Sequence, residues 1–360
     1  MIAAPLHDTR TRALTALTFF ILAGAYATAR GLHEPAWPTD FDQLWYAARA
    51  LRTGADPYAV TGPGRTFQWD WPLYYPLPAV ILAVPFAALP VQVARILFSA
   101  LGAAAMGWAL GPRIRTHWPI LLSAAFIIST SRAQWAPLLL AAAWIPALGF
   151  VIAAKPNVGL SALSAQDGRG LLLATGGGAA VLLICFLVEP GWFASWREAI
   201  RTAPHIRAAV TTLPAGPLLA LAALRWKRPD ARLLLVLAVI PHTPSVYDLL
   251  LLFYACRTFR DTVGLALLTQ FLYWGIVLFG SFNTFDAYAA WVGRVAVLVV
   301  YLPVLVAILL RPNVLEDPVE ANAPQDHSAM IPANWIDMSL LSLLIVASTF
   351  LVWLPLVTYR

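Results

Sequence analysis

Apolar runs follow one another along almost the whole of this 360-residue chain, at 13–29, 77–89, 91–110, 119–130, 136–154, 171–188, 215–224, 233–240, 246–255, 263–280, 289–310 and 339–357. Such runs must leave water, and a soluble body of this size has too little polar surface to cover them all. The composition agrees, with 60% hydrophobic and 12% charged residues against roughly 45–50% and 25% in globular proteins. These features predict an all-α polytopic membrane protein with roughly 11 to 13 membrane segments. They exclude a soluble enzyme, a disordered chain, a coiled coil and a small disulfide scaffold. Cys185 and Cys256 lie inside apolar runs and read as small hydrophobes, with neither a disulfide nor a metal assigned.

The net charge of +6 reads in such a chain as flanking charge and contact with anionic membrane lipids, not as a nucleic-acid surface. Arg10 and Arg12 precede the first run, so the N-terminus is expected in the cytoplasm of a multi-pass cell-membrane protein and loop 31–75 outside. A cleavable signal peptide is the alternative, because Ala27-Thr28-Ala29 has the form of a processing site; the long apolar stretch and the runs after it favour a retained anchor. Arg225, Lys227, Arg228, Arg257 and Arg260 place their loops inside, which leaves 189–214 and the Pro241-His242-Thr243-Pro244 turn outside. The expected organisation is a transmembrane domain at 1–310, a cytoplasmic linker at 311–338 and a C-terminal transmembrane helix at 339–360. A five-segment path through 77–166 sets Arg113 and Arg115 outside, against the charge rule. Several runs are too short for a span of about 20 residues or are interrupted, as at Pro78, Pro85 and Pro90. Helices of that kind persist only when buried in protein or lining a polar cavity, which predicts an internal site.

Loop 31–75 is the longest polar segment of the N-terminal half, and within it Phe41, Leu44, Trp45, Ala48 and Leu51 recur at helical spacing. The stripe predicts an amphipathic helix along an interface, ended by Gly54-Ala55-Asp56-Pro57. Asp40 and Asp42 flank Phe41 at its start. A carboxylate there suits a general base that takes a proton from an acceptor hydroxyl. It equally suits an N-cap that satisfies the free N–H groups of the first turn.

The run Asp40-Phe41-Asp42-Gln43-Leu44-Trp45-Tyr46, then Gly54-Ala55-Asp56-Pro57-Tyr58, then Tyr74-Tyr75-Pro76-Leu77-Pro78 resembles the opening of the family 87 glycosyltransferases, membrane-embedded enzymes of the C-type superfamily. The likeness continues with Gln134 before a leucine-rich run, with Ala154-Lys155-Pro156, and with Pro241 to Asp248 leading into another leucine run, so it covers roughly residues 12 to 310. It implies a C-type bundle whose first outer loop carries amphipathic helices. It also implies transfer of a hexose, mannose foremost, from a polyprenyl-phosphate donor to a lipid, glycan or protein acceptor outside the cytoplasm. Asp40 matches the family's carboxylate and would be the base, with Asp42 as second carboxylate or true base; one base without a covalent intermediate fits inversion. The lipid-linked sugar is a co-substrate, no cofactor is implied, and the requirement for a metal stays open. The chain departs from the family pattern at Tyr75-Pro76-Leu77-Pro78, at Ser131-Arg132-Ala133, where a glycine is common, and at Pro241-His242.

A leaving phosphate needs positive charge in a water-poor place. Lys155 leads because it interrupts an apolar stretch, although a snorkelling lysine has the same pattern. Arg132 and Arg207 are secondary phosphate candidates that also read as topology signals. His242 can donate to a phosphate or sugar oxygen or simply brace a turn. Tyr74 and Tyr75 read as interfacial aromatics or as sugar-stacking faces. Tyr247 belongs to the matched block, and Asp70 and Asp248 are candidates for sugar hydroxyls. The rival readings are a secondary transporter or lipid-carrier flippase, which would place its carboxylates at mid-membrane, and an inactive subunit of the same fold.

Overall fold

The computed structural model describes residues 3–35, 38–201, 207–242 and 245–313, so the expected C-terminal helix at 339–360 and most of the linker before it lie outside the described residues. The described chain is helical throughout, with a single isolated bridge between Thr61 and Phe67. In order run α1 (Ala3–His33), α2 (Asp40–Arg52), α3 (Leu77–Ala83), α4 (Val91–Leu110), α5 (Ile114–His117), α6 (Ala124–Ser131), α7 (Ala136–Trp144), α8 (Pro156–Ser164), α9 (Gly168–Val188), α10 (Trp192–Arg201), α11 (Pro229–Val239), α12 (Phe259–Phe279), α13 (Phe285–Ala296) and α14 (Leu302–Leu309). Three long 3-10 helices, Pro146–Ala154, Gly216–Arg225 and Asp248–Ala255, lie among them.

Five helical stretches of the described residues are long and apolar enough to cross a membrane: Asp8–His33, Val91–Leu122, Gly168–Val188, Phe259–Phe279 and Phe285–Leu309. This is the architecture of a polytopic membrane protein. The remaining apolar runs are shorter helices, and the larger expected number of segments came from counting each of them as a span. Winding makes three of these short pieces longer than their residue count suggests. A 3-10 helix rises about 2.0 Å per residue, so the nine residues of Pro146–Ala154 cover roughly 18 Å where an α-helix would cover about 14 Å.

The chain runs back and forth between two ends. Helices α1 and α4 pack antiparallel, and Gly107 lets them approach so closely that a Cβ there would sit 2.9 Å from the Thr15 carbonyl oxygen. Arg12 donates to the Trp108 carbonyl at one end of this pair, whereas Arg30 and Arg95 lie at the other. Arg113 stands in the field of Arg12 and Arg257. Residue 113 and its neighbour Arg115 therefore belong with the N-terminal arginines, and the path that sets them on the opposite side is corrected. The same end holds Asp230, which is fully buried and accepts from Arg228 through both oxygens at 3.1 and 3.0 Å and from Arg311 at 2.9 Å. Arg311 also reaches Asp261, and the carbonyls of Leu309, Arg311 and Pro312 accept from Arg225 and Arg228, so this network ties residues 225–230, Asp261 and 309–312 together.

At the opposite end lie α2 and α10. The expected helix is present, and of its stripe Phe41, Leu44, Trp45 and Ala48 are buried and Leu51 half-buried; but Asp42, Gln43, Ala47 and Ala50 are buried as well, so α2 is packed on most sides instead of lying along an interface, and Gly54 follows it with a left-handed φ of 74°. Helix α10 is a second amphipathic element, and its Trp196 indole donates to the Tyr74 carbonyl at 2.9 Å.

Candidate active site

Three breaks in the short inner helices meet beside the start of α2, and each has a local cause. The first separates α6 from α7. Ala133 takes φ 50°, Gln134 N–H bonds the Ser129 carbonyl at 2.8 Å and Ala133 N–H bonds that of Thr130 at 3.2 Å, the paired bonds of a Schellman ending. This left-handed position favours glycine, and here an alanine holds it. The second break is Lys155, held out of helical geometry at φ −138° and ψ 71° because Pro156 follows. The third is the turn between α11 and the 3-10 helix Asp248–Ala255, which carries His242, Tyr247 and Asp248.

Asp40 is the first residue of α2, partly exposed, and its Oδ2 accepts from the Gln134 amide at 2.8 Å. No described residue donates to its Oδ1. Gln134 is itself 3% exposed, and its own carbonyl oxygen is buried without a partner. Asp42 is in the opposite condition. Only 1% exposed, it receives both the Arg95 guanidinium and, at 2.9 and 3.2 Å, the backbone N–H and hydroxyl of Thr39. It is the acidic half of a capping box, locked by a charge-assisted pair. The open choice between base and cap thus falls differently on the two residues: Asp42 has its acceptor positions engaged, and Asp40 does not.

Lys155 donates to Asp248 at 2.8 Å, with side chains 11% and 4% exposed, and its ammonium sits 4.9 Å from the centre of the Tyr247 ring. Ser245 completes the Asp248 shell at 3.3 Å. Lys155 therefore does not snorkel; its charge is balanced by a carboxylate 93 residues away. His242 is 1% exposed, its Nδ1 lies 2.9 Å from the Ile240 carbonyl, and its Nε2 lies 3.4 Å from the Tyr301 hydroxyl. A carbonyl can only accept, so Nδ1 carries the proton and Nε2 accepts from Tyr301. Both nitrogens are engaged inside the protein, leaving no ring N–H for a ligand. Burial pushes the His242 pKa down and keeps the ring neutral. Tyr301 is delivered by a π-helical turn, Val297–Tyr301. Tyr75 lies in the field of Asp40, Tyr247 and Asp248; burial first, and then those charges, push its phenol well above the ordinary value, so it remains a neutral donor.

Asp40, Gln134, Tyr75, Tyr247, Lys155, Asp248 and His242 are thus brought into one region, with Arg132 exposed at its edge. Tyr74 contributes its backbone to α10, and Asp70 and Arg207 are exposed with no partner in this region. Sequence reading missed Arg30, Arg95 and Tyr301, since each lies in or beside an apolar segment where a lone polar residue looks like flanking charge or core. Among the described residues, no three His, Cys, Asp or Glu side chains gather in a metal-holding group.

No family model matches the chain, and neither a curated protein nor a solved structure matches it.

Proposed function

We propose that this protein is an integral membrane glycosyltransferase with a C-type bundle. It moves a hexose, mannose foremost, from a polyprenyl-phosphate donor to a lipid, glycan or protein acceptor on the outer side of the cell membrane. The observation that carries the reading is the asymmetry of Asp40: one oxygen held by Gln134, the other unengaged, beside three breaks in short helices. Asp40 Oδ1 takes the proton of the acceptor hydroxyl as that oxygen attacks the anomeric carbon. The bond from that carbon to the phosphate oxygen breaks, and the phosphate leaves with the electron pair. Attack opposite the leaving group inverts the centre and needs no second carboxylate as nucleophile. Gln134 fixes the carboxylate's orientation and offers its unpartnered oxygen to a ligand hydroxyl. Tyr75, Tyr247 and the Lys155–Asp248 pair form a polar, nearly neutral wall for the sugar ring. On this reading the Asp40 end faces outward, and the arginine-rich Asp230 end and the N-terminus lie in the cytoplasm.

The test is transfer from radiolabelled polyprenyl-phosphate mannose by the purified full-length protein into membrane lipid and glycan extracts, with Asp40→Asn alongside. Product from the wild type that vanishes in a folded Asp40→Asn variant supports the reading. Donor binding without product from any extract favours the inactive subunit, and absence of donor binding favours a transporter.

A further inference from the structure

The Asp40–Gln134 hydrogen bond joins the start of α2 to the break between α6 and α7, 94 residues along the chain. The bond holds only if those two elements stay in register, and one helix touches both. On α4, Arg95, Phe98 and Ser99 stand at i, i+3 and i+4, so they share a face. Arg95 pairs with Asp42, two residues after Asp40. The Phe98 ring stacks on Phe41, the residue between the two carboxylates, with centroids 4.6 Å apart and planes at 27°. The same ring meets Trp135, the residue after Gln134, edge to face at 4.9 Å and 76°. Ser99 donates to the Thr130 carbonyl at 2.7 Å, and that carbonyl also accepts the Ala133 N–H of the ending that presents Gln134. The Trp45 indole adds a further tie, donating at 3.0 Å to the Leu89 carbonyl just ahead of α4.

Phe41, Phe98, Ser99 and Trp135 are all buried, and a close-packed interior passes a displacement on to its neighbours. Apolar packing alone accounts for the burial of Phe98. It does not account for Arg95 and Ser99, polar groups on the same face that bond to the same two elements. None of the three bonds to Asp40 or Gln134 directly, so any influence on the pair passes through the chain neighbours.

We propose that α4 is the strut that sets the Asp40–Gln134 pair, with Phe98 as its central positioning residue and Ser99 as its tie on the α6 side. A base takes a proton only from a group within hydrogen-bond reach, so a displaced carboxylate lowers the rate of the chemical step more than it weakens binding. That the pair is catalytic rests on the glycosyl-transfer reading; the mechanical link from α4 to the pair does not.

The experiment uses the full-length protein in phosphatidylcholine nanodiscs and reads two quantities in Phe98→Leu, Ser99→Ala and Gln134→Leu, and in Phe98→Leu combined with Gln134→Leu. One is the rate at which dicyclohexylcarbodiimide modifies Asp40, followed by peptide mass spectrometry. The other is sugar transfer from polyprenyl-phosphate mannose. An Asp40 oxygen released from its donor is more reactive, so each single variant should raise the modification rate roughly 3- to 10-fold, the worth of one hydrogen bond. Each should also lower kcat on the order of 10- to 100-fold with KM little changed. In the Gln134→Leu background Phe98→Leu should add almost nothing to either quantity, because the bond it acts through is already gone. Phe193→Leu, exposed on α10, should leave both unchanged. Ser99→Ala carries the test if Phe98→Leu fails to fold. Unchanged Asp40 modification in the folded single variants overturns the proposal, as does an effect of Phe98→Leu that is equally large without Gln134. Coupled modification rates in a protein that transfers no sugar uphold the strut and remove the glycosyl-transfer reading alone.

Discussion

Asp230 and Asp40 both sit in the first turn of a helix, at opposite ends of the same bundle, yet their surroundings are inverted. Asp230 is fully buried, and both of its oxygens accept from guanidiniums. Burial works to raise its pKa, but the Arg228 hydrogen bond and the charges of Arg257, Arg228 and Arg311 outweigh burial and hold the carboxyl below its ordinary value. Asp40 is partly exposed, has one side-chain donor and keeps an oxygen unengaged. A saturated carboxylate joins segments; an unsaturated one retains capacity for a ligand. The difference teaches that placement at a helix start says little about role, and that counting the partners of each oxygen says more.

The sharpest way to break this comparison is to remove each carboxylate and read stability and transfer separately. Asp230→Ala leaves buried arginines without their counter-charge, which should lower stability by about 3–5 kcal/mol in detergent unfolding experiments. A loss below about 1 kcal/mol would mean that the network is not a structural tie. Asp40→Asn should change stability by no more than about 1 kcal/mol, the worth of one hydrogen bond, while lowering transfer by roughly 10²- to 10⁴-fold. An active Asp40→Asn enzyme would move the base elsewhere.

The two ends should also answer differently to acid. His242 has a folded pKa below its unfolded value of about 6.5, so its neutral form contributes stability that is full above that pH and declines as pH falls through and below it. Asp230 has a folded pKa below its unfolded value of about 3.9; its contribution is present above about pH 4 and lost only as pH falls toward the folded pKa. Hydrogen exchange across pH 7 to 5 should therefore show the turn after α11 loosening while the Asp230 end stays protected, and His242→Gln should flatten that response. The smallest expected effect concerns the α6–α7 break. Ala133→Gly relieves a left-handed alanine at some cost in chain entropy, for a net gain of about 0.5–1 kcal/mol in thermal unfolding.

Much of the fold was legible because its signals are local. The stripe of α2, its glycine stop and the apolar character of the long helices all follow from neighbours a few residues apart. The 3-10 winding of 146–154, 216–225 and 248–255 was not, because a segment apolar on all sides carries no period from which to read its pitch. Nor was the fate of Asp42, since Arg95 is 53 residues away and looks from sequence like a charge at the end of a membrane run. Lys155 stood out as a cation in an apolar stretch, yet its neutralisation by Asp248 depends on two breaks meeting in space.

The 3-10 winding of Pro146–Ala154 bears on how this chain tolerates changes in length. With three residues to a turn, side chains three apart eclipse, and losing one residue rotates everything beyond by about 120°. Lys155 follows directly, so a single deletion there would swing its ammonium away from Asp248 while barely shortening the segment. Removing three residues would keep the angular phase and draw Lys155 inward by about 6 Å. Insertions and deletions in this stretch thus have a reading frame of their own, set by helical pitch and counted in threes.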